Sequence, residues 1–254
     1  MTAKREGRKQ ERSRRARQAA TGRRSTDPAA ARKLLESTAE QARQTAAGIL
    51  QCNDLPARAG ALADGARDLA LHVIRQSPDH GRHACASGCA FCCHTAVTVA
   101  AVEAMRIAQY LQERCSNQTL AEVRRRLDGN AALASCLGRD EYIARKIPCA
   151  LLTEDGNCRA YSVRPMACAG FLSTSRAACE AEFHAVPGRT AVPTDEFAML
   201  AGLGVSYGLK EACNQAGLDR EFYELHHAIR RALDEPDGAA KWLRGHTFLE
   251  GCMK

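Results

Sequence analysis

The chain of 254 residues, 45% of them hydrophobic, is long enough to bury an ordinary core without covalent staples. Its formal charge of +7 sits almost wholly in residues 1–26, where ten Lys and Arg face two Glu for a net of +8; the remainder is left at about −1, which removes the basic body expected of a nucleic-acid-binding domain. Thirteen cysteines, an odd number, and an opening MTAKREGRKQERSRRARQ with no apolar segment point away from export and a disulfide framework and toward a reducing cytoplasm, where clustered thiols serve metal or redox chemistry.

In chain order, residues 1–27 read as a disordered basic tail without interleaved aromatics, open to contact with RNA or an acidic surface. Residues 28–76 are rich in Ala, Arg, Leu and Gln, and the break at 53–56 divides them into two helices, so that 28–78 reads as a helical N-terminal extension. Leu62, Leu69, Val73 and Ile74 form the core-facing stripe of the second. Pro78 and Gly81 end it and open a cysteine loop, and 79–254 reads as the main domain.

Beyond that loop Val99, Val102, Met105, Ala108, Leu111 and Cys115, then Leu120, Val123, Leu127, Ala131 and Ala134, recur at helical spacing. They predict an antiparallel pair joined near Ser116 and Asn117. Residues 148–193 hold Gly156, Pro165, Gly170, Pro187, Gly188 and Pro193, which exclude a long regular element. Helix resumes at Asp195, and Phe222, Leu225, Ile229 and Leu233 mark an apolar face after an N-cap at Asp219, with a short last helix over 237–243. Residues 96–99 and 150–153 are candidates for brief strands, paired beside the cysteine loops. Gly202, Gly204 and Gly208 lack the dinucleotide-loop spacing and a preceding strand, and predict a close helix contact. No run approaches the roughly 20 apolar residues of a membrane span. The fold class expected is mainly α: a helical domain with irregular cysteine-rich loops.

The chemistry lies in two clusters, Cys85, Cys89, Cys92, Cys93 and then Cys149, Cys158, Cys168. Cys89 and Cys92 have the two-residue gap that lets both sulfurs approach one ion, and Gly88 can supply a positive φ for the turn around it. The turn signal at 154–157 predicts a hairpin with Cys149 and Cys158 facing each other. One tetrahedral zinc or one four-iron cluster needs about four thiolates. Seven are present, so either two neighbouring metals share them or some remain free for redox or exchange. Cys179 is a reserve ligand. Most of Cys52, Cys115, Cys136, Cys213 and Cys252 read as small buried apolar residues; His80, His83 and His94 are unnecessary beside so many thiols, and His226 and His227 read as surface or cap.

CASGCAFCCH, Glu103 on the next helix, Pro148-Cys149, Cys158, Tyr161, Arg164-Pro165 and Cys168 together resemble the YkgJ-like CxxCxxCC cysteine-cluster family of zinc- or iron-chelating domains, over about residues 80–180 and more weakly onward through Leu233 to Leu243. The resemblance implies zinc, iron or a 4Fe-4S cluster at the seven cysteines, with Tyr161 and Arg164 in support. Three residues separate Cys85 from Cys89 where the family pattern has two. The cysteine region is also similar to that of flagellin lysine methylases, which implies protein N-methyl transfer as an alternative. A thiol-based metallochaperone or redox sensor acting on a protein partner is a third reading.

Overall fold

The computed structural model describes residues 27–51, 55–185 and 191–249. The basic N-terminal run, the break at 53–54, Pro187, Gly188, Cys52 and Cys252 lie outside the described residues. Within them ten helices occur: α1 (Pro28–Leu50), α2 (Leu55–Ile74), α3 (Ala101–Arg114), α4 (Asn117–Cys136), α5 (Arg139–Ala144), α6 (Met166–Gly170), α7 (Arg176–His184), α8 (Glu196–Gln215), α9 (Leu225–Asp234) and α10 (Gly238–Leu243). Two 3-10 turns, Phe91–His94 and Tyr161–Val163, and two short strands, β1 (Thr98–Ala100) and β2 (Phe222–Glu224), complete the set. No helix among the described residues is long and apolar enough to cross a membrane.

Local sequence explains most boundaries. Asp27 accepts from the Ala30 amide with Pro28 in the first turn of α1, Ser116 caps α4, Ser175 caps α7 and Asp195 caps α8. The core joins α2, α3, α4, α8 and α9 through Leu62, Ile107, Leu111, Val123, Leu127, Leu209 and Ile229, with Trp242 of α10 closing one end. The stripe predicted for α2 faces inward, with Leu62, Val73 and Ile74 buried and Leu69 packed against them.

The glycines of α8 do what their spacing implied. Gly204 and Gly208 lie one turn apart and face Thr38 and Ala42 of α1. A Cβ at Gly208 would stand 2.1 Å from the Ala39 carbonyl oxygen and 2.7 Å from the Ala42 Cβ. A small-residue face on each helix therefore sets how closely the two backbones approach.

Three expectations are corrected. Residues 96–99 do supply a strand edge, but β1 pairs antiparallel with β2, Val99 opposite Tyr223, and not with 150–153. Helix α9 consequently starts at Leu225, its N-cap being Glu224, whose carboxylate accepts from the His226 and His227 amides. Asp219 is left to accept from the Tyr223 hydroxyl, the Glu221 amide and the Phe248 amide. Finally, α3 and α4 do not pack along their length as an antiparallel pair; α9 lies against both and fills the space between them.

Asp195 joins the scaffold to the cysteine loop. One carboxylate oxygen accepts from Ser77 Oγ at 2.6 Å and pairs with His83 Nε2 at 2.8 Å, while the other accepts from the Ala198 amide at 2.9 Å. Burial works against its charge, but the bonds from Ser77, Ala198 and His83 prevail and hold it below the ordinary 3.8. A carboxylate held low adds stability above its unfolded pKa and loses it as pH falls through the folded value.

Two outcomes are expected in chemical unfolding. Gly208→Ala should cost about 3 kcal/mol by overpacking, whereas Gly129→Ala in α4, with nothing within 4 Å of the added methyl, should gain about 0.5–1 kcal/mol; equal effects would mean that the α1/α8 contact is not tight. Asp195→Asn should cost about 2–3 kcal/mol at pH 7 and flatten the loss of stability below pH about 4, and an unchanged acid limb would remove the role assigned to this carboxylate.

Candidate metal centre

Two irregular segments are clamped together before any side chain of the cluster is considered. In the first, Ala84 N–H donates to Ser173 O at 2.8 Å, Gly88 sits at φ +78°, and the 3-10 turn Phe91–His94 carries Cys92 and Cys93. In the second, Thr153 N–H donates to Asn157 O and Arg159 N–H to Leu151 O, closing the predicted hairpin with Leu152 opposite Cys158. Cys149 therefore lies before the paired register and not directly across from Cys158, and a turn from Cys149 O to the Leu152 amide curls it back.

The clamp has two parts. Asn157 Oδ1 accepts from Ser87 Oγ at 2.7 Å and from the Gly88 amide at 3.0 Å, and a Cβ on Gly156 would stand 3.0 Å from Gly88 O, so only glycine fits there at φ +77°. At the other end Cys149 N–H donates to Cys93 O at 2.8 Å. Helix α4 steadies the hairpin from behind: Arg126 donates to the carbonyls of Cys149 and Leu152, and Asn130 to Pro148 O.

The third element is the turn into α6. Buried Glu103 at the start of α3 accepts from the Ala100 amide at 2.9 Å and the Met166 amide at 2.8 Å, fixing the segment from which Cys168 projects. Burial raises the Glu103 pKa against the two amide bonds. The motif residue Glu103 is thus a strut between helix and loop.

These supports bring the expected thiols into one neighbourhood. Burial pushes the Cys168 thiol up, with Cys149, Cys92 and Cys158 adding to the rise and Arg164 opposing it. Burial likewise lifts Cys158 to about 11, with Cys149 and Cys92 contributing. Cys92 and Cys93 share a hydrogen bond that lowers the first thiol and raises the second. Cys85 and Cys89 lie to one side: Cys85 Sγ accepts from the Ser173 amide at 3.4 Å, and burial raises it, with lesser pushes from Cys89, Cys92 and Cys179. Arg164 lies over the Tyr161 ring at 4.3 Å and toward Cys92, Cys158 and Cys168, while Tyr161 itself is exposed.

The described cysteines are all unpaired with one another. Among the described residues no group of three or more His, Cys, Asp or Glu side chains is placed so that it could hold a metal ion. The thiols are neighbours that do not converge on one point. A donor set of sulfur alone, with a guanidinium beside it, fits zinc or iron and does not fit magnesium or calcium.

Two discounted residues need correction. Cys136 is exposed at the end of α4, not buried, although Cys213 is buried as expected. His226 is neither surface nor a mere cap residue. It is 2% exposed, its Nδ1 meets Glu224 Oε1 at 2.7 Å, its Nε2 accepts from the Ala150 amide at 3.3 Å, and the ring interacts with the Cys149 side chain. Burial opposes a charge on the ring, but bonding to Cys149 and Glu224 outweighs it and raises the pKa to about 9. The glutamate two residues earlier was the available signal, since a carboxylate on one ring nitrogen frees the other for a buried partner. His83 belongs to Asp195, and His94 bonds Ala90 O and packs on Phe183.

Fold and site define a mainly helical protein with a thiol-lined centre in irregular loops. Residues 84–187 match the profile of the CxxCxxCC family, described as "Putative zinc- or iron-chelating domain", the same family that the motif resembles. The matched stretch spans all seven clustered cysteines and Cys179. No curated protein and no solved structure matches the chain.

Glu103→Gln retains one acceptor oxygen for two buried amides, so it should cost about 1–3 kcal/mol and speed hydrogen exchange at Met166 relative to amides in α4. Exchange unchanged at Met166 would show that the strut is not needed.

Proposed function

We propose that the protein binds zinc or iron through the thiols of Cys92, Cys93, Cys149, Cys158 and Cys168, with Cys85 and Cys89 alongside, in a reducing cytoplasm. The observation that carries this reading is the 2.8 Å bond from the Cys149 amide to the Cys93 carbonyl, which draws the two distant cysteine segments onto one spot.

The residues have separable tasks. The cysteines supply thiolate ligands, giving up their protons as the ion enters, which reverses the upward push that burial places on Cys158 and Cys168. Arg164, steadied by the Tyr161 ring, offsets part of the thiolate charge. His226 on Glu224 fixes the orientation of Cys149. The bound ion supplies a tie across the loops, and its binding free energy adds to folding.

The test is anaerobic purification followed by metal analysis and a visible spectrum. Zinc or iron should copurify, Cys93→Ser, Cys149→Ser and Cys168→Ser should lose it, and Arg164→Ala should weaken it roughly 10–100-fold. A wild-type chain that neither retains nor takes up either metal would end this reading.

A further inference from the structure

A cavity of about 190 Å³ lies beside the FCCH turn, where α7 packs on it. Phe91, Ile143, Phe171, Phe183 and Val192 supply apolar walls, each from a different segment of the chain. Phe91 and Phe183 hold one wall in place, their ring centres 5.7 Å apart, and His94 meets Phe183 edge-on at 4.8 Å. Phe171 is 39% exposed, so the cavity opens to solvent along that ring. An apolar cavity of about 150 Å³ is large enough for benzene. The space here accepts one ring and a small substituent, and three phenylalanines around it suit a flat apolar body.

The substituent is indicated by Lys146, which also lines the cavity. Its ammonium lies 5.2 Å from the centre of the Phe183 ring and pairs with no carboxylate among the described residues. Glu182, the carboxylate of the lining, already has a partner. The backbone under Lys146 is unusual: its φ of +51° is the one positive value among the described non-glycine residues. Helix α5 has its C-cap at Arg145, so Lys146 holds the next position, where glycine or asparagine is the common choice. A lysine there costs conformational energy, and such strain persists where the side chain has a task.

We propose that this cavity binds a small aromatic carboxylate, with the ring among Phe91, Phe171 and Phe183 and the anionic group on Lys146. Burial of the ring supplies the affinity, and the ammonium selects the charge. The inference stands apart from metal binding, since neither the aromatic walls nor the ammonium belongs to the thiol cluster.

The experiment is calorimetric titration of the full-length chain with benzoate, and with benzyl alcohol, acetate and benzylammonium as probes of ring and charge taken separately. Benzoate should saturate at one equivalent and bind more tightly than the other three. Cys179 lines the cavity and exposed Cys136 does not, so bound benzoate should slow alkylation of Cys179 by iodoacetamide and leave Cys136 unchanged, as mapped by mass spectrometry. Lys146→Gly relieves the positive φ and should fold at least as stably as the wild type, yet weaken benzoate about tenfold, the loss of one charge-assisted bond. Lys146→Arg should keep the affinity within a few-fold. Lys146→Gln, which leaves the backbone as it is, should match the glycine variant and replaces it where that variant fails to fold. Benzoate that does not saturate, that binds both neutral variants as tightly as the wild type, or that leaves Cys179 labelling unchanged would overturn the proposal, as would a preference for benzylammonium. Loss of metal uptake alone would leave it standing.

Discussion

The bond from the Cys149 amide to the Cys93 carbonyl is the constraint on which the arrangement of the thiols depends. It is a main-chain bond and needs no ion to form. With Asn157 gripping Ser87 and Gly88 at the far end, the FCCH turn and the hairpin are fixed at two points, and thiols remote in sequence become neighbours through backbone geometry. Fixing two segments by main-chain bonds removes ordering entropy that a ligand would otherwise have to supply.

Crowding sulfur in this way has an electrostatic consequence. Burial alone disfavours thiolate, and each neighbouring sulfur disfavours it further, so Cys158 and Cys168 are held as thiols. Arg164 supplies positive charge that opposes this. A cation entering the group would replace several protons, so its affinity falls with acidity. The scaffold thus holds Cys158 and Cys168 in protonated form.

Much of this was legible in the chain, and what was not has physical reasons. Helix periodicity located α2, α3, α4 and α9, and the glycines of α8 announced a close helix contact whose partner, α1, only the structure supplies. The hairpin followed from its turn residues. β2 was hidden because Phe222 continues the apolar face of α9, and a three-residue strand is set by its partner and not by its own pattern. The separation of α3 from α4 was hidden for a similar reason, since a short connection suggests adjacency while the shape of α9 decides it. His226 could not be placed because no local spacing ties it to Cys149; only the fold of α9 across α4 does. Clustering identified the cysteines, and Cys179, a reserve ligand in the sequence, lines one cavity with Cys92.

Helix α8 shows how the scaffold and the centre are joined. Its middle is locked to α1 by glycines that leave no slack, since a single methyl at Gly208 would overlap the Ala39 carbonyl. Its N-terminus presents Asp195, which holds Ser77 and His83 at the entry to the first cysteine loop, while the Asp195 amide donates to Leu172 O beside Ser173, the residue that contacts Cys85. A helix fixed along its length and bonded at its end to both strands of a loop transmits position and not motion. Loop residues carry the thiols because only irregular backbone can wrap an ion, and they can be placed to a fraction of an ångström only if a rigid element anchors each end. In this chain α8 anchors one end and α4, through Arg126 and Asn130, anchors the other.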